Sequence, residues 1–385
     1  MKRVNYYENF FSVFDTETGE YVRTGILEKA NKYARDLWDT GKDPFMATFP
    51  ELLDVGIMGH CKHGASGLCL KAGVECYQDG LHANKPNMSL ADFKEIVNQC
   101  KEHTYQIALG GCGDPDQHED FEEILKVCRD AKIVPNFTTS GLGMTPEIAA
   151  LCKKYCGAVA VSWYRSAYTE KAIVELIKAG VKTNVHYVLS KSTVGEALKR
   201  LKACALEETG REAQVIEAGF AKEDVEVADY SDGFGRGINA VIFLLHKPVG
   251  LGTKEEMITT DNEVFWELLE YINEHDFPFK IGFDSCMVPA LLSLDKVNQD
   301  AIDTCEGGRW SAYISADMKM MPCSFDNQKE RWAVDLREKS LQEAWDSELF
   351  EDFRSHFKNS CLDCEKRMQC MGGCPIVPEI VVCKK

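Results

Sequence analysis

The stretch LLDVGIMGHCKHGASGLCLKAGVECYQDG, residues 52–80, runs from an apolar strand-like segment directly into a glycine-bearing loop that holds Cys61, Cys69 and Cys76. LLDVGIM is short and mostly apolar, the pattern of a strand buried in a parallel sheet. A loop at the carboxyl end of such a strand is where barrel enzymes place their chemistry. Three thiols gathered there point to metal ligation more than to packing.

Working outward, strand-like and helical runs alternate, as they do when helical crossovers join parallel strands. SLADFKEIVNQC opens at Ser89 with Asp92 three residues on, the pattern of a capping box, and leads to the strand YQIALGG ending at Gly111. FEEILKVCRDA and IVPNFTT follow, then a helix from Thr145 as N-cap and Pro146 as first helical residue to about Tyr155, and the strand GAVAVSW. YTEKAIVELIKAG with KTNVHYVL, and TVGEALKRLKACALEETG with INAVIFLL, complete six units. The expected fold is α/β: a partial (β/α)6 TIM-type barrel followed by a C-terminal cysteine-rich, loop-rich iron–sulfur domain. The expected boundaries are residues 1–50 for an N-terminal extension, 51–250 for the barrel, 251–279 for a bridging helix and 280–385 for the cysteine-rich domain. Residues 211–237 follow no period and are read as a loop or insertion.

The totals narrow the function classes. The 385 residues are 45% hydrophobic, enough for a sizeable core. The net charge of −17 argues against binding nucleic acid or anionic lipid. No apolar run reaches the roughly 20 residues of a membrane helix, and Met1 to Thr24 is charged and aromatic rather than a secretory signal. The 17 cysteines are therefore read as cytoplasmic and reduced. The chain closes on Cys361-x2-Cys364-x5-Cys370-x3-Cys374-x8-Cys383 with no matching histidine pairs, which suits Fe–S clusters or zinc. Cys100, Cys112, Cys128, Cys152, Cys156 and Cys204 mostly fall on helical runs and read as small buried hydrophobes, except that Cys112 lies in the glycine-rich loop after the second strand. That loop is GGCGDP, where Gly110, Gly111 and Gly113 let carbonyl groups approach a ligand and Asp114 supplies a carboxylate suited to an ammonium group.

A cysteine triad after the first strand and a glycine-rich, acidic loop after the second resemble the radical SAM superfamily, GGCGDP looking like its GGE-type motif with Asp for Glu. The triad here has x7 and x6 spacing where the family usually has C-x3-C-x2-C, and Tyr77 follows the last cysteine where the family has an aromatic before it. The C-terminal array, with Cys305 and Cys323 upstream, is similar to the SPASM domain, with Met318 in place of a usual glycine. The resemblance implies three [4Fe–4S] clusters and S-adenosyl-L-methionine (SAM). Cys61, Cys69 and Cys76 would hold the SAM-binding cluster and leave one iron open. Cys286, Cys305, Cys323 and Cys374 would hold a first auxiliary cluster, and Cys361, Cys364, Cys370 and Cys383 a second. If Cys286 were free, the first auxiliary cluster would have an open iron able to take a substrate thiolate. SAM would lie against Gly110, Gly111, Gly113 and Asp114, with Ser162, Arg165, Asn184 and His186 touching its carboxylate, ribose and adenine.

The implied activity is reductive cleavage of SAM to a 5′-deoxyadenosyl radical that abstracts hydrogen from a peptide, for thioether or carbon–carbon crosslinking of a ribosomally made precursor. An electron donor such as flavodoxin or ferredoxin is implied too. About 50 residues precede the first barrel strand, short for a separate winged-helix leader-binding domain. Other readings stay open: oxidation of a protein side chain as in sulfatase maturation, a small-molecule substrate, an iron–sulfur electron carrier, or a zinc loop using the triad with His60 or His63. The residues name no catalytic acid or base. Trp163 and Tyr164 read as rim packing or a gate.

Overall fold

The computed structural model describes residues 1–25, 46–71, 73–206, 234, 237–295, 297, 302–356, 364, 366 and 370–384. Its first element is a meander of three antiparallel strands, β1 (Lys2–Tyr6), β2 (Phe10–Asp15) and β3 (Tyr21–Gly25). Alternation buries Phe10, Ser12 and Phe14 and turns Val4, Tyr6 and Val22 outward. The buried face meets Glu51, which is 2% exposed and accepts from Tyr7 Oη at 2.6 Å, Tyr21 Oη at 2.5 Å, Asn5 Nδ2 at 3.2 Å and Ser12 Oγ. Four donors on one carboxylate meet the requirement that a buried charge be hydrogen-bonded. They fasten the meander to the residue that precedes the first barrel strand.

The barrel strands are β4 (Leu52–Met58), β5 (Gln106–Gly111), β6 (Val134–Thr139), β7 (Val159–Ser162), β8 (Thr183–Leu189) and β9 (Ala240–Leu245), all parallel and paired in that order. Between them come the short helices α1 (Lys62–Ser66) and α2 (Leu68–Lys71), then α3 (Leu90–Cys100), α4 (Phe121–Asp130), α5 (Pro146–Tyr155), α6 (Ala167–Lys178) and α7 (Val194–Cys204). The local signals operate as chemistry requires. Ser89 Oγ accepts from Asp92 N at 3.1 Å and Thr145 Oγ1 from Ile148 N at 3.3 Å, capping α3 and α5. Asp92 does not complete the capping box; its carboxylate accepts from Ser89 Oγ and from Arg337. Of the aperiodic residues 211–237, only Phe234 and Gly237 lie within the described residues, and Phe234 is fully buried edge-to-face against Trp163, Tyr187, Phe243 and Phe279.

The sheet extends beyond the six expected strands. Helix α8 (Glu263–Glu274) leads to β10 (Lys280–Phe283), which pairs parallel with β9 at the start of the stretch read as the second domain. After a short α9 (Val288–Leu291), β11 (Ser311–Ile314) pairs parallel with β4 on the opposite side, and β12 (Lys319–Met321) and β13 (Val334–Asp335) extend that edge antiparallel. Helices α10 (Leu341–Trp345) and α11 (Glu348–His356) follow. The sheet therefore has ten strands, with β10 and β13 at its two edges. Interior-facing positions are small or polar, including Asp54, Ala108, Gly110, Thr138, Ser162 and His186, so the barrel interior is not filled as in a closed TIM core. The outward-facing Val185, Tyr187 and Leu189 of β8 are buried under the helices.

Candidate metal and cofactor site

Strand β4 ends in a register irregularity between Gly56 and Met58, which opens the chain into the cysteine loop. Cys61 caps α1, its Sγ accepting from Gly64 N at 3.2 Å. Close approach holds the loop in place: a Cβ on Gly64 would lie 1.8 Å from Gly80 O, and one on Gly80 would lie 3.5 Å from Cys61 Sγ. At the far end of the loop Leu251 N donates to Cys76 O at 2.9 Å, while Thr253 N and Oγ1 donate to Glu75.

The cysteine loop packs against the second-strand loop: a Cβ on Gly80 would lie 3.1 Å from both Cys61 Cβ and Cys112 O, and one on Gly113 would lie 3.3 Å from Cys61 Cα. Tyr164 Oη, just past the end of β7, is pushed well above its ordinary range first by burial and then by Cys76, Asp114, Cys69 and Cys61. Cys112 is raised to about 11 by burial and by Cys76, with Cys61 adding and Lys85 opposing. Burial likewise raises Cys61 and Cys76. These are thiols held out of water beside other acidic groups, the condition in which metal binding displaces protons. Trp163 turns the other way, buried against Phe234 with the Arg200 guanidinium 4.6 Å from its ring centre.

In GGCGDP the glycines divide the work. Gly111 has φ +113°, and a Cβ there would lie 2.4 Å from Met58 O; one on Gly113 would lie 2.5 Å from His60 O. Gly110 differs, for an added Cβ would meet nothing within 4 Å, so space opens over it. Asp114 Oδ1 accepts from Ser140 N at 2.7 Å, and Oδ2 from Ser140 Oγ at 2.5 Å. Asp116 next to it is 7% exposed, and both its oxygens lack a partner. Burial and the Asp114 charge raise it to about 7.

The remaining cofactor candidates separate. Ser162 and His186 pair in register between β7 and β8 and line the interior. Burial lowers His186 to about 4, so its ring is neutral near pH 7 and can offer hydrogen bonds but no charge. Asn184 lies at the opening of β8 and accepts from Asn239 Nδ2 at 2.7 Å. Arg165, at φ +52°, is engaged elsewhere: Nε donates to Glu196 at 2.5 Å and an Nη to Tyr187 Oη at 3.1 Å, on the helix side of the wall.

The structure brings a second cysteine set together from four segments. The neighbouring Cys374 thiol and then burial raise Cys286 well above its ordinary value. Burial, then Glu306 and Cys286, raises Cys305 to about 12, and burial, then Cys305, raises Cys323 well above its ordinary value. A Cβ on Gly307 would lie 3.6 Å from Cys305 Sγ and 3.7 Å from Cys323 Cβ, so glycine lets this loop approach. Missed in the sequence is Lys247, 6% exposed, which contacts Asp284 and donates to Leu245 O at 2.7 Å. Burial opposes its charge, but Asp284, Cys286 and Cys374 outweigh that and raise it. A buried ammonium beside two of these thiols, Cys286 and Cys374, suits a site that becomes anionic when loaded. Met318 adopts φ +67°, a left-handed position at which glycine carries no steric cost.

Of the third set, Cys361 lies outside the described residues, Cys364 and Cys370 are partly buried, and Cys383 Sγ accepts from Ser293 Oγ at 3.9 Å. Among the described residues no three His, Cys, Asp or Glu side chains crowd closely enough to hold a single metal ion. No helix among the described residues is long and apolar enough to cross a membrane.

Residues 305–365 match the SPASM family, an iron–sulfur cluster-binding domain. No curated protein matches the chain. Among solved structures, Streptococcus suis SuiB bound to S-adenosylmethionine is 15% identical with a TM-score of 0.61, over 96% of this chain and 94% of that one. SuiB bound to the precursor peptide SuiA gives 0.62 at 15% identity, covering 98% of this chain and 96% of that one. The protein anSMEcpe, with bound AdoMet and Cp18Cys peptide, gives 0.53 at 14% identity over 85% of this chain and 89% of that one. At these identities the likeness is one of fold: a barrel-like α/β sheet with a C-terminal cysteine-rich region.

Proposed function

We propose that this chain is a radical SAM enzyme that abstracts hydrogen from a peptide substrate, modifying a ribosomally made precursor by thioether or carbon–carbon crosslinking. The observation that carries the reading is the packing of the cysteine loop on GGCGDP at the carboxyl ends of the barrel strands, with Gly80 and Gly113 against Cys61 and the Asp114 carboxylate held by Ser140. Cys61, Cys69 and Cys76 would hold the SAM-binding cluster, and the space over Gly110 would receive SAM with its ammonium toward Asp114. Cys286, Cys305, Cys323 and Cys374 would hold one auxiliary cluster, and Cys361, Cys364, Cys370 and Cys383 the other. Bound together, the cluster and SAM supply the capacity to remove hydrogen from an unactivated carbon, which no side chain possesses.

The protein's own part is to bind, orient and exclude water. Ser140 fixes both oxygens of Asp114, so the carboxylate meets an incoming ammonium without reorganising. Ser162 and the neutral His186 offer uncharged hydrogen bonds inside the barrel, as a ribose or adenine requires. Lys247 offsets part of the charge at the four-cysteine set. The peptide reading is supported by the SPASM match and by the fold shared with SuiB and anSMEcpe, each solved with a bound peptide. A low-potential flavodoxin or ferredoxin in the cytoplasm would supply the electron.

The test is anaerobic incubation of cluster-loaded protein with SAM and dithionite, scoring 5′-deoxyadenosine against a variant in which Cys61, Cys69 and Cys76 are all alanine. Product from the wild type alone supports the reading; none from a protein whose clusters are intact would leave an electron carrier. Gly110→Ala sharpens the assignment, because the added methyl enters open space. Its melting temperature should match the wild type while SAM binding weakens by at least about tenfold, roughly 1.4 kcal/mol. Unchanged binding by Gly110→Ala would remove SAM from that position.

A further inference from the structure

The cysteine loop carries a histidine that neither the ligand set nor the GGCGDP loop accounts for. His63 lies on α1, two residues past Cys61, and is 4% exposed. Its Nδ1 stands 2.9 Å from Ser140 Oγ and 3.4 Å from Asp114 Oδ2. Because the Ser140 hydroxyl proton goes to Asp114, His63 Nδ1 is the donor in the 2.9 Å contact. The ring stacks on Tyr168 at 5.5 Å between centroids, and Thr169 Oγ1 holds Ser140 O at 3.0 Å. Three separate pieces of chain, the cysteine loop, the loop after β5 and the end of β6, are thus joined through one buried carboxylate.

Resting on the proposed function, we infer that His63 is a positioning residue for SAM: through Ser140 it fixes the Asp114 carboxylate and couples the order of the cysteine loop to affinity for the ammonium group. The physical reason is pre-organisation. A carboxylate already held by the Ser140 amide and hydroxyl loses no rotamer freedom when the ammonium arrives. Without His63, Ser140 Oγ and Asp114 lose their link to α1, and the carboxylate must be ordered by the ligand. The coupling is distinct from any bond between SAM and iron, since the His63 imidazole reaches Ser140 and Asp114 and stacks on Tyr168. Coupling of this kind is reciprocal, so an ordered cysteine loop favours SAM and bound SAM favours the ordered loop.

The experiment measures SAM affinity by equilibrium dialysis on cluster-loaded, anaerobic protein for the wild type, His63→Ala, His63→Gln, Asp114→Asn and the double variant His63→Ala/Asp114→Asn. Iron content and the electron paramagnetic resonance signal of the reduced SAM-free protein serve as controls. His63→Ala should keep its iron and weaken SAM by about tenfold, and His63→Gln, whose amide can still donate to Ser140, should recover most of the loss. The double variant should bind no more weakly than Asp114→Asn within about twofold, because residues acting through one group are not additive. The change in resonance signal on adding SAM should be blunted in His63→Ala and restored in His63→Gln. Equal affinity of His63→Ala and wild type, or strictly additive losses, would overturn the inference and leave the functional reading standing. A wild type that binds no SAM overturns both. Should His63→Ala fail to hold iron, Ser140→Ala replaces it, since that change removes the hydroxyl link and leaves the cysteine loop's sequence untouched; unaltered SAM affinity there is the same refutation.

Discussion

At the scale of single residues the site is governed by burial. Asp116 has two unpartnered buried oxygens, and its carboxyl rises from 3.8 to about 7 through burial first and Asp114 second. Its folded pKa lies above the unfolded value, so the folded chain keeps a proton that the unfolded chain releases. The stabilisation is complete below the unfolded value and is lost as pH rises through about 7. Asp116→Asn, which cannot ionise, should therefore melt higher than wild type at about pH 8, and the gap should narrow steadily as pH falls toward about 4. Melting curves for the two proteins that stay parallel across that range would show the carboxyl to be paired. Arg165 marks the limit of residue-by-residue reading, for its position after β7 is plain in the sequence but the side of the wall its guanidinium chooses is not. Glu196 and Tyr187 decide that, and neither is adjacent in sequence.

Among the elements, local signals in the sequence were sufficient where the physics is local. The six parallel strands, the caps at Ser89 and Thr145 and the helix after Pro248 all follow from periodicity and side-chain chemistry within a few residues. The three-stranded meander of residues 2–25 was not read, although Phe10, Ser12 and Phe14 alternate with the less buried Phe11, Val13 and Asp15 and a Thr-Gly turn follows. Its short strands and charged residues hid the pattern. The turn between β11 and β12 gives a test at this scale. Met318 holds φ +67° at 4% exposure, so a backbone cost is offset by a buried side chain. Met318→Gly loses the burial but relieves the backbone, whereas Met318→Ala loses the burial and keeps the strain. Chemical denaturation should find the alanine variant less stable than the glycine variant by about 1 kcal/mol. The reverse order would mean that the turn relaxes when the side chain is removed.

For the whole molecule, the cysteine-rich region is not an appendage on a finished barrel. Strand β11 hydrogen-bonds along β4, and Arg337 reaches back to Asp92 at the start of α3. Removing residues 305–385 would strip the partner from β4 and leave an unpaired apolar edge. The truncated chain should be recovered in the insoluble fraction; a soluble, monomeric barrel would show that the β4 edge is protected in some other way. The four-cysteine set depends on the same long-range assembly. Cys286→Ala and Cys374→Ala should each lower the iron content by about four atoms per chain, and the double variant should lose no more than either single one. Losses that add would place the two thiols in different clusters.

By itself the sequence determined the alternation of strands and helices, the caps, and the presence of dense thiol ligands at a strand end, because each is set by residues a few positions apart. Tertiary structure alone decided that β11 joins the sheet beside β4, that Lys247 is buried against Asp284, and that His63 reaches Asp114. Those outcomes depend on which distant segments bury one another. Spacing along the chain carries no information about that until long-range strand pairing has brought the segments together.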